Sequence, residues 1–363
     1  MAASGFAAGE HAVPELAAIA VKDALAKAGS DYAHSIILFL SGHFARHAQA
    51  AVTAASRAAS CLQVTGCTVP GLFTEQAWAL DQPAAAAMVL CGPISLGAHQ
   101  TGKPRLSLAT LSAAEPAWLA TAGNRFGTLS TGNDTQTEGQ VWAQGKIVRE
   151  GRIEAVIHGG DVHVRASRGI RALSMALEVS DSDNFDLFEL EGEPALDNLL
   201  RELGPGMAGM EPLPLQLVFA VLPEPGLTPD EARNSGRYSL VSIMSVNRDE
   251  RSITLATPIP QRATIWWAIR EPASAELDMS ATLDDLAGSM KHPPGFGLMF
   301  SCIGRGPYFY QGHDRDTSLT RERFPGLPLL GAYGAGEIAP LGTSSSIISY
   351  STVLTLVTGE HDV

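Results

Sequence analysis

Leu62-Gln63-Val64-Thr65-Gly66-Cys67-Thr68-Val69-Pro70-Gly71-Leu72-Phe73 and Leu327-Pro328-Leu329-Leu330-Gly331-Ala332-Tyr333-Gly334-Ala335-Gly336-Glu337-Ile338 lie far apart in the chain and carry one local pattern. Each follows an apolar run, Ile36-Ile37-Leu38-Phe39-Leu40 in the first case and residues 296–301 in the second. Both read as strand, helix, strand, G-x-x-x-x-G, then a further apolar strand. A repeat of this length implies two related halves. The fold class expected is α+β: two pseudo-repeated halves with mixed β-sheets and helices on the outer faces. Each half has a glycine turn, and the second turn bears Glu337.

The chain has 363 residues, which suits about two domains. Hydrophobic residues make up 45% and charged residues 17%, a composition that can build a core and cover it in water. The formal charge of −13 argues against nucleic acid as a partner, because such binders present a basic face. Cys61, Cys67, Cys91 and Cys302 form no C-x-x-C pair, so zinc-ribbon and redox-motif readings fail and no metal is expected. They read as buried thiols of a reducing compartment. Residues 1–14 contain Glu10 and lack a basic segment followed by an apolar one, so no signal peptide is expected. No apolar run approaches the roughly 18–20 residues of a membrane span. A cytoplasmic location without membrane insertion is expected.

Residues 14–28 place Leu16, Ala17, Ile19, Ala20, Ala24 and Leu25 at helical spacing. Residues 36–40 read as a strand buried on both faces, residues 45–62 as an Ala-rich helix, and residues 84–90 as a strand. Residues 101–140 are polar and rich in Gly, Ser and Thr; they read as strand fragments and a long loop. Residues 153–158 and 162–166 alternate around Gly159-Gly160, the signal of a hairpin with His158 and Asp161 facing each other. Residues 194–203 form an amphipathic helix, and residues 204–214, rich in Gly and Pro, read as a linker. Trp266 and Trp267 fall in a strand and must point to opposite faces.

Phe300-Ser301-Cys302-Ile303-Gly304-Arg305-Gly306, followed by Leu330-Gly331-Ala332-Tyr333-Gly334-Ala335-Gly336-Glu337-Ile338-Ala339-Pro340, resembles the C-terminal signature of the FIST sensory domain. That signature is an F-S-C-x-x-R-G strand end and a G-x-x-x-x-G-E-I turn. Leu190-Glu191-Gly192-Glu193-Pro194-Ala195-Leu196 is similar to the family's L-x-G-x-P-A-L segment, and Gly66-Cys67-Thr68-Val69-Pro70-Gly71 to its N-terminal G-C-x-x-x-G turn. Residues 258–262 lack the glycine usual in their hairpin. The resemblance implies a helical lead-in at 1–34, a FIST N-terminal domain at 35–203, the linker at 204–214 and a FIST C-terminal domain at 215–363. It implies an intracellular sensory module that binds a small ligand, with amino acids the proposed class. With no fused output domain before Val363, the signal would pass to a separate signalling protein. Some family members bind haem, which leaves a haem-dependent nitric oxide sensor as the alternative; no C-x-x-C-H is present, and no cofactor is otherwise expected.

Arg305 follows a strand end beside Gly306, a favoured ligand position in α/β folds. Its guanidinium can grip a carboxylate with two hydrogen bonds, and Glu337 can accept from an ammonium. The two would match the ends of an amino acid; alternatively they pair with each other. Gly331, Gly334 and Gly336 permit positive φ and exposed N–H groups around Tyr333. Cys302 and Cys67 each sit beside a turn, and His43 occupies the first-half position that corresponds to the Cys302–Arg305 strand end. A nucleophilic Cys302 would need a base close in space. No acid–base pair at a diagnostic spacing supports an enzyme, so no catalytic residue is assigned and binding is favoured over catalysis.

Overall fold

The first copy of the pattern is built as the sequence implies, with two strands more. The structure, a computed structural model, describes residues 1–98, 100–134 and 136–359; the last four residues of the expected 215–363 domain lie outside the described residues. Strand β1 (Ala2–Ala8) precedes α1 (Glu15–Ala28), so the lead-in expected as helical is strand and helix. α1 buries Leu16, Ala17, Ala20, Val21, Ala24 and Leu25, and Gly29 closes it at φ 63°. Then come β2 (Ser35–Ser41), α2 (Ala48–Ala58) and β3 (Val64–Val69), with β2 and β3 parallel. The chain leaves the sheet as the hairpin β4 (Gly71–Thr74) and β5 (Trp78–Leu80) and returns as β6 (Ala84–Leu90), between β1 and β2.

This order recurs twice more, so the molecule holds three copies where the sequence suggests two. β7 (Ser95–Gly97) is the edge strand of the second copy, and β8 (Arg105–Thr110), α3 (Pro116–Ala120) and β9 (Arg125–Ser130) are its parallel unit. Its hairpin is β10 (Val141–Ala143) and β11 (Lys146–Ile147), and β12 (Arg152–His158) returns between β7 and β8. The third copy opens with β13 (Gly160–Ser167). An insertion follows: β14 (Ile170–Ala172), β15 (Leu177–Asp183), β16 (Asp186–Leu190), β17 (Glu193–Pro194), α4 (Ala195–Ala208), β18 (Val218–Pro223), α5 (Pro229–Ser235), β19 (Tyr238–Asn247), β20 (Ser252–Leu255), β21 (Thr264–Arg270) and the start of α6 (Pro272–Ser289). The copy resumes with β22 (Phe296–Cys302), α7 (Arg315–Arg323) and β23 (Leu329–Gly334), then the hairpin β24 (Glu337–Leu341) and β25 (Ser344–Ile348), and β26 (Thr352–Gly359). β26 lies between β13 and β22.

The hairpins are exchanged around a ring. β4 pairs with β23, β10 with β3, and β24 with β9. Three six-stranded sheets result, each holding one copy's strands and another copy's hairpin. One face of each sheet contributes to a shared core, where Phe39 and Phe126 meet Phe300 with ring centroids 6.0 and 6.4 Å apart. The opposite faces are covered by α1 and α2, by α3, and by the Met279–Ser289 part of α6 with α7.

Three local expectations change. Gly159-Gly160 is not a hairpin: β12 pairs with β7 and β8, whereas β13 pairs with β26 in another sheet. His158 and Asp161 therefore do not face each other across a hairpin. The glycine turns are not positive-φ turns either, since Gly66, Gly71, Gly331, Gly334 and Gly336 are absent from that region of backbone space. They are small because other atoms come close. A Cβ at Gly66 would lie 1.7 Å from the Leu38 carbonyl oxygen, and one at Gly331 would lie 2.0 Å from the Phe73 ring. Finally, the boundary expected near Gly204 does not separate the compact units, which are residues 1–167 with 279–363, and residues 168–278. Gly204, at φ 71°, kinks a helix inside the second unit.

That second unit closes on itself. β15, β16, β20, β19, β18 and β21 form a ring of antiparallel pairings, because β21 pairs with both β18 and β15. Leu196, Leu199 and Leu203 of α4 pack into the same core as Val179, Ile253 and Trp267. Trp267 Nε1 donates to buried Asn198 Oδ1 at 2.9 Å. Trp266, on the opposite face, sits edge-on to Tyr238 with Arg233 over its ring. The two tryptophans do point to opposite faces.

Candidate functional site

The carboxyl end of β22 runs into a short turn, Ile303–Arg305, which ends at the buried Arg305. Its side chain is 1% exposed. Nε donates to Asp316 Oδ2 at 2.8 Å and Nη2 to Asp316 Oδ1 at 3.2 Å. Nη1 donates to the Ser167 carbonyl at 3.0 Å and Nη2 to Ser167 Oγ at 2.7 Å, at the end of β13. The fork of donors suits this arrangement as no lysine could. Asp316 also accepts from Tyr310 at 2.9 Å and from Thr352 Oγ1 at 2.7 Å. A buried ion pair needs such extra hydrogen bonds to offset the loss of water.

A second acid stands beside the first. Asp314 caps α7, its Oδ1 accepting from the Thr317 N–H at 3.0 Å, and its Oδ2 accepts from the Tyr333 hydroxyl. Burial, and then the negative charge of Asp316, push the Asp314 carboxyl above the usual carboxylate range. Burial and the neighbouring Asp314 likewise hold the Tyr333 phenol well above its ordinary value. Gly306 lies against the Tyr333 ring, which a Cβ there would approach to 3.1 Å.

Glu337 begins β24, the exchanged hairpin, and is fully buried. Ser351 Oγ donates to its Oε2 at 3.2 Å, and its Oε1 has no hydrogen-bond partner among the described residues. Burial raises its pKa well above the ordinary value, opposed by the Ser351 hydrogen bond and the Arg305 charge. Arg305 acts on Glu337 through its field, while its hydrogen-bonded carboxylate is Asp316.

The remaining candidates fall in different places. Cys302 is buried at the end of β22, with its N–H donating to the Ser351 carbonyl at 2.9 Å. Gly331 and Gly334 are buried strand residues of β23, and Gly336 precedes β24. His43 and Cys67 belong to the first copy and form no hydrogen bond to the Arg305 cluster. His43 Nδ1 lies 3.3 Å from Ser41 Oγ, and Cys67, buried in the shared core, has its thiol pushed up by burial alone. Sequence reading missed Asp314, Asp316, Tyr310, Ser167 and Thr352. The signal for the acids was present in Asp314-Arg315-Asp316-Thr317, an Asp cap ahead of a helix. No group of three or more His, Cys, Asp or Glu side chains suited to a metal occurs among the described residues.

Residues 195–340 match the FIST C domain. The FIST C segment thus holds Arg305, Asp314, Asp316, Tyr333 and Glu337, while Ser351 and Thr352 follow it and Ser167 precedes it. An uncharacterized protein of Mycobacterium tuberculosis is 24% identical over 233 residues, 63% of this chain and 60% of its own length. An uncharacterized protein of Mycobacterium bovis is 28% identical over 193 residues, 52% of this chain and 49% of its own length. The match to this chain therefore spans between about half and three fifths of these relatives.

Proposed function

We propose that this chain is a FIST-type sensory module that binds a small amino-acid-like ligand and signals through a separate partner. The observation that carries the reading is Glu337: a fully buried acid at a strand end, with one oxygen unpaired. A buried polar atom without a partner costs about 1–3 kcal/mol, and strongly perturbed groups at such places mark functional sites. A ligand ammonium would donate to Glu337 once the acid gives up its proton, and the ligand carboxylate would compete with Asp316 for Arg305. Asp316 sits on α7, so that competition would free α7 from β22 and give the sensor an output.

Titration calorimetry with a panel of free amino acids tests this on the wild type, Glu337→Gln and Asp316→Asn. The expected result is binding of at least one amino acid, at least about tenfold weaker in Glu337→Gln and tighter in Asp316→Asn, where the competing carboxylate is gone. Absence of binding across the panel, or equal affinity in wild type and Glu337→Gln, overturns the reading.

A further inference from the structure

We propose that the carboxyl ends of β8 and β9 form a second ligand site, for a small organic cation of the primary-amine class. The three-copy arrangement points there. In the third copy the Cys302 N–H meets the Ser351 carbonyl at 2.9 Å; in the second, the Thr110 N–H meets the Gly151 carbonyl at 2.7 Å. These are one position in two copies: the end of the first parallel strand against the start of the returning strand. The third copy fills the space beyond it with its own Arg305, Asp316 and Glu337. In the first copy Gly42 is covered by the Gly132-Asn133 backbone, which a Cβ would approach to 2.5 and 2.6 Å. The second copy leaves a cavity of about 290 Å³, lined by Thr110, Ser112, Glu138, Gln140, Arg149 and Glu150 among others.

Charge and hydrogen bonding select the ligand. Two carboxylates, Glu138 and Glu150, and one guanidinium, Arg149, line the cavity. Glu138 Oε1 accepts from Ser112, and Ser112 Oγ lies 3.1 Å from Thr110 Oγ1. An ammonium has three donors and no acceptor, which suits a carboxylate at the end of a chain of two hydroxyls. An adjoining cleft of about 520 Å³ shares Ser112, Glu138 and Gly139 with this cavity. There Thr131 Oγ1 is buried without a hydrogen-bond partner among the described residues, a further acceptor for the distal end of a ligand. The chain's formal charge of −13 raises the local concentration of cations. This site is independent of the Arg305 cluster, and its probe is not an amino acid, so either proposal can fail alone.

The probe is 1,4-diaminobutane, with 1,4-butanediol as the uncharged molecule of equal length. Titration calorimetry on the full chain should show saturable binding of the diamine below about 1 mM and at least about tenfold weaker binding of the diol. Glu138→Gln, at an exposed position whose loss of charge leaves the core untouched, should weaken diamine binding by about tenfold or more without lowering the thermal midpoint. Thr110→Val should weaken it without changing the preference for the diamine. No binding of the diamine, equal binding of the diol, or undiminished binding by Glu138→Gln overturns the proposal.

Discussion

At the residue scale, the unusual feature is a buried acid, Glu337, whose pKa burial raises well above its ordinary value despite the field of a nearby guanidinium. Glu337 and Asp314 both have folded-state pKa values above their ordinary ones, chiefly through burial. The folded protein therefore holds these protons more tightly than the unfolded chain does. Their contribution is complete below the ordinary value of 4.5 for Glu337 and is lost as pH rises through the raised folded value. Glu337→Gln keeps a neutral side chain at every pH. Urea denaturation should show wild-type stability falling more than that of the variant between about pH 5 and about pH 8. Parallel pH profiles would mean that Glu337 is ionised in the folded protein.

At the element scale, the exchanged hairpins explain why the glycines recur. Gly331 on β23 faces Phe73 on β4, a strand supplied by the first copy. Phe73 also stacks on Tyr333 with ring centroids 4.6 Å apart, so this contact links the hairpin to the polar cluster. Gly331→Ala should destabilise the protein by about 1–3 kcal/mol through overpacking. Adding Phe73→Leu should recover part of that loss, with a coupling above about 0.5 kcal/mol in a double-mutant cycle. Additive effects would place the strain elsewhere. The strands, helices and glycine pattern of the first and third copies were legible, because long apolar runs and Ala-rich stretches give clear periodicity. The second copy was hidden by its short α3 and by the long polar segment between β9 and β10. Its strand β8, Arg105-Leu106-Ser107-Leu108-Ala109-Thr110, alternates plainly once the repeat is known.

At the scale of the whole molecule, residues 168–278 interrupt the third copy as a closed barrel with its own core. Gly169 and Asp278, near its two ends, are joined by a hydrogen bond of 3.0 Å from the Gly169 N–H to Asp278 Oδ2. Adjacent ends are what allow a domain to be inserted without disturbing its host. Residues 168–278 expressed alone should therefore fold, with one cooperative urea transition seen alike by circular dichroism and by the fluorescence of Trp266 and Trp267. A gradual, non-cooperative loss of signal would show that the barrel depends on the rest of the chain.

The sequence by itself determined the α+β class, the repeated strand–helix–strand unit and the burial of Ile36–Leu40. These follow from periodicity, apolar runs and residue chemistry, which are local. Only the tertiary structure decided that there are three copies, that their hairpins are exchanged, that Gly159-Gly160 joins two sheets, and that Arg305 is held by Asp316 and Ser167. Strand pairing and ion pairing join residues distant in the chain, and many partners satisfy the same local pattern. The choice among them is made by which arrangement buries the apolar faces while leaving the fewest polar groups without partners.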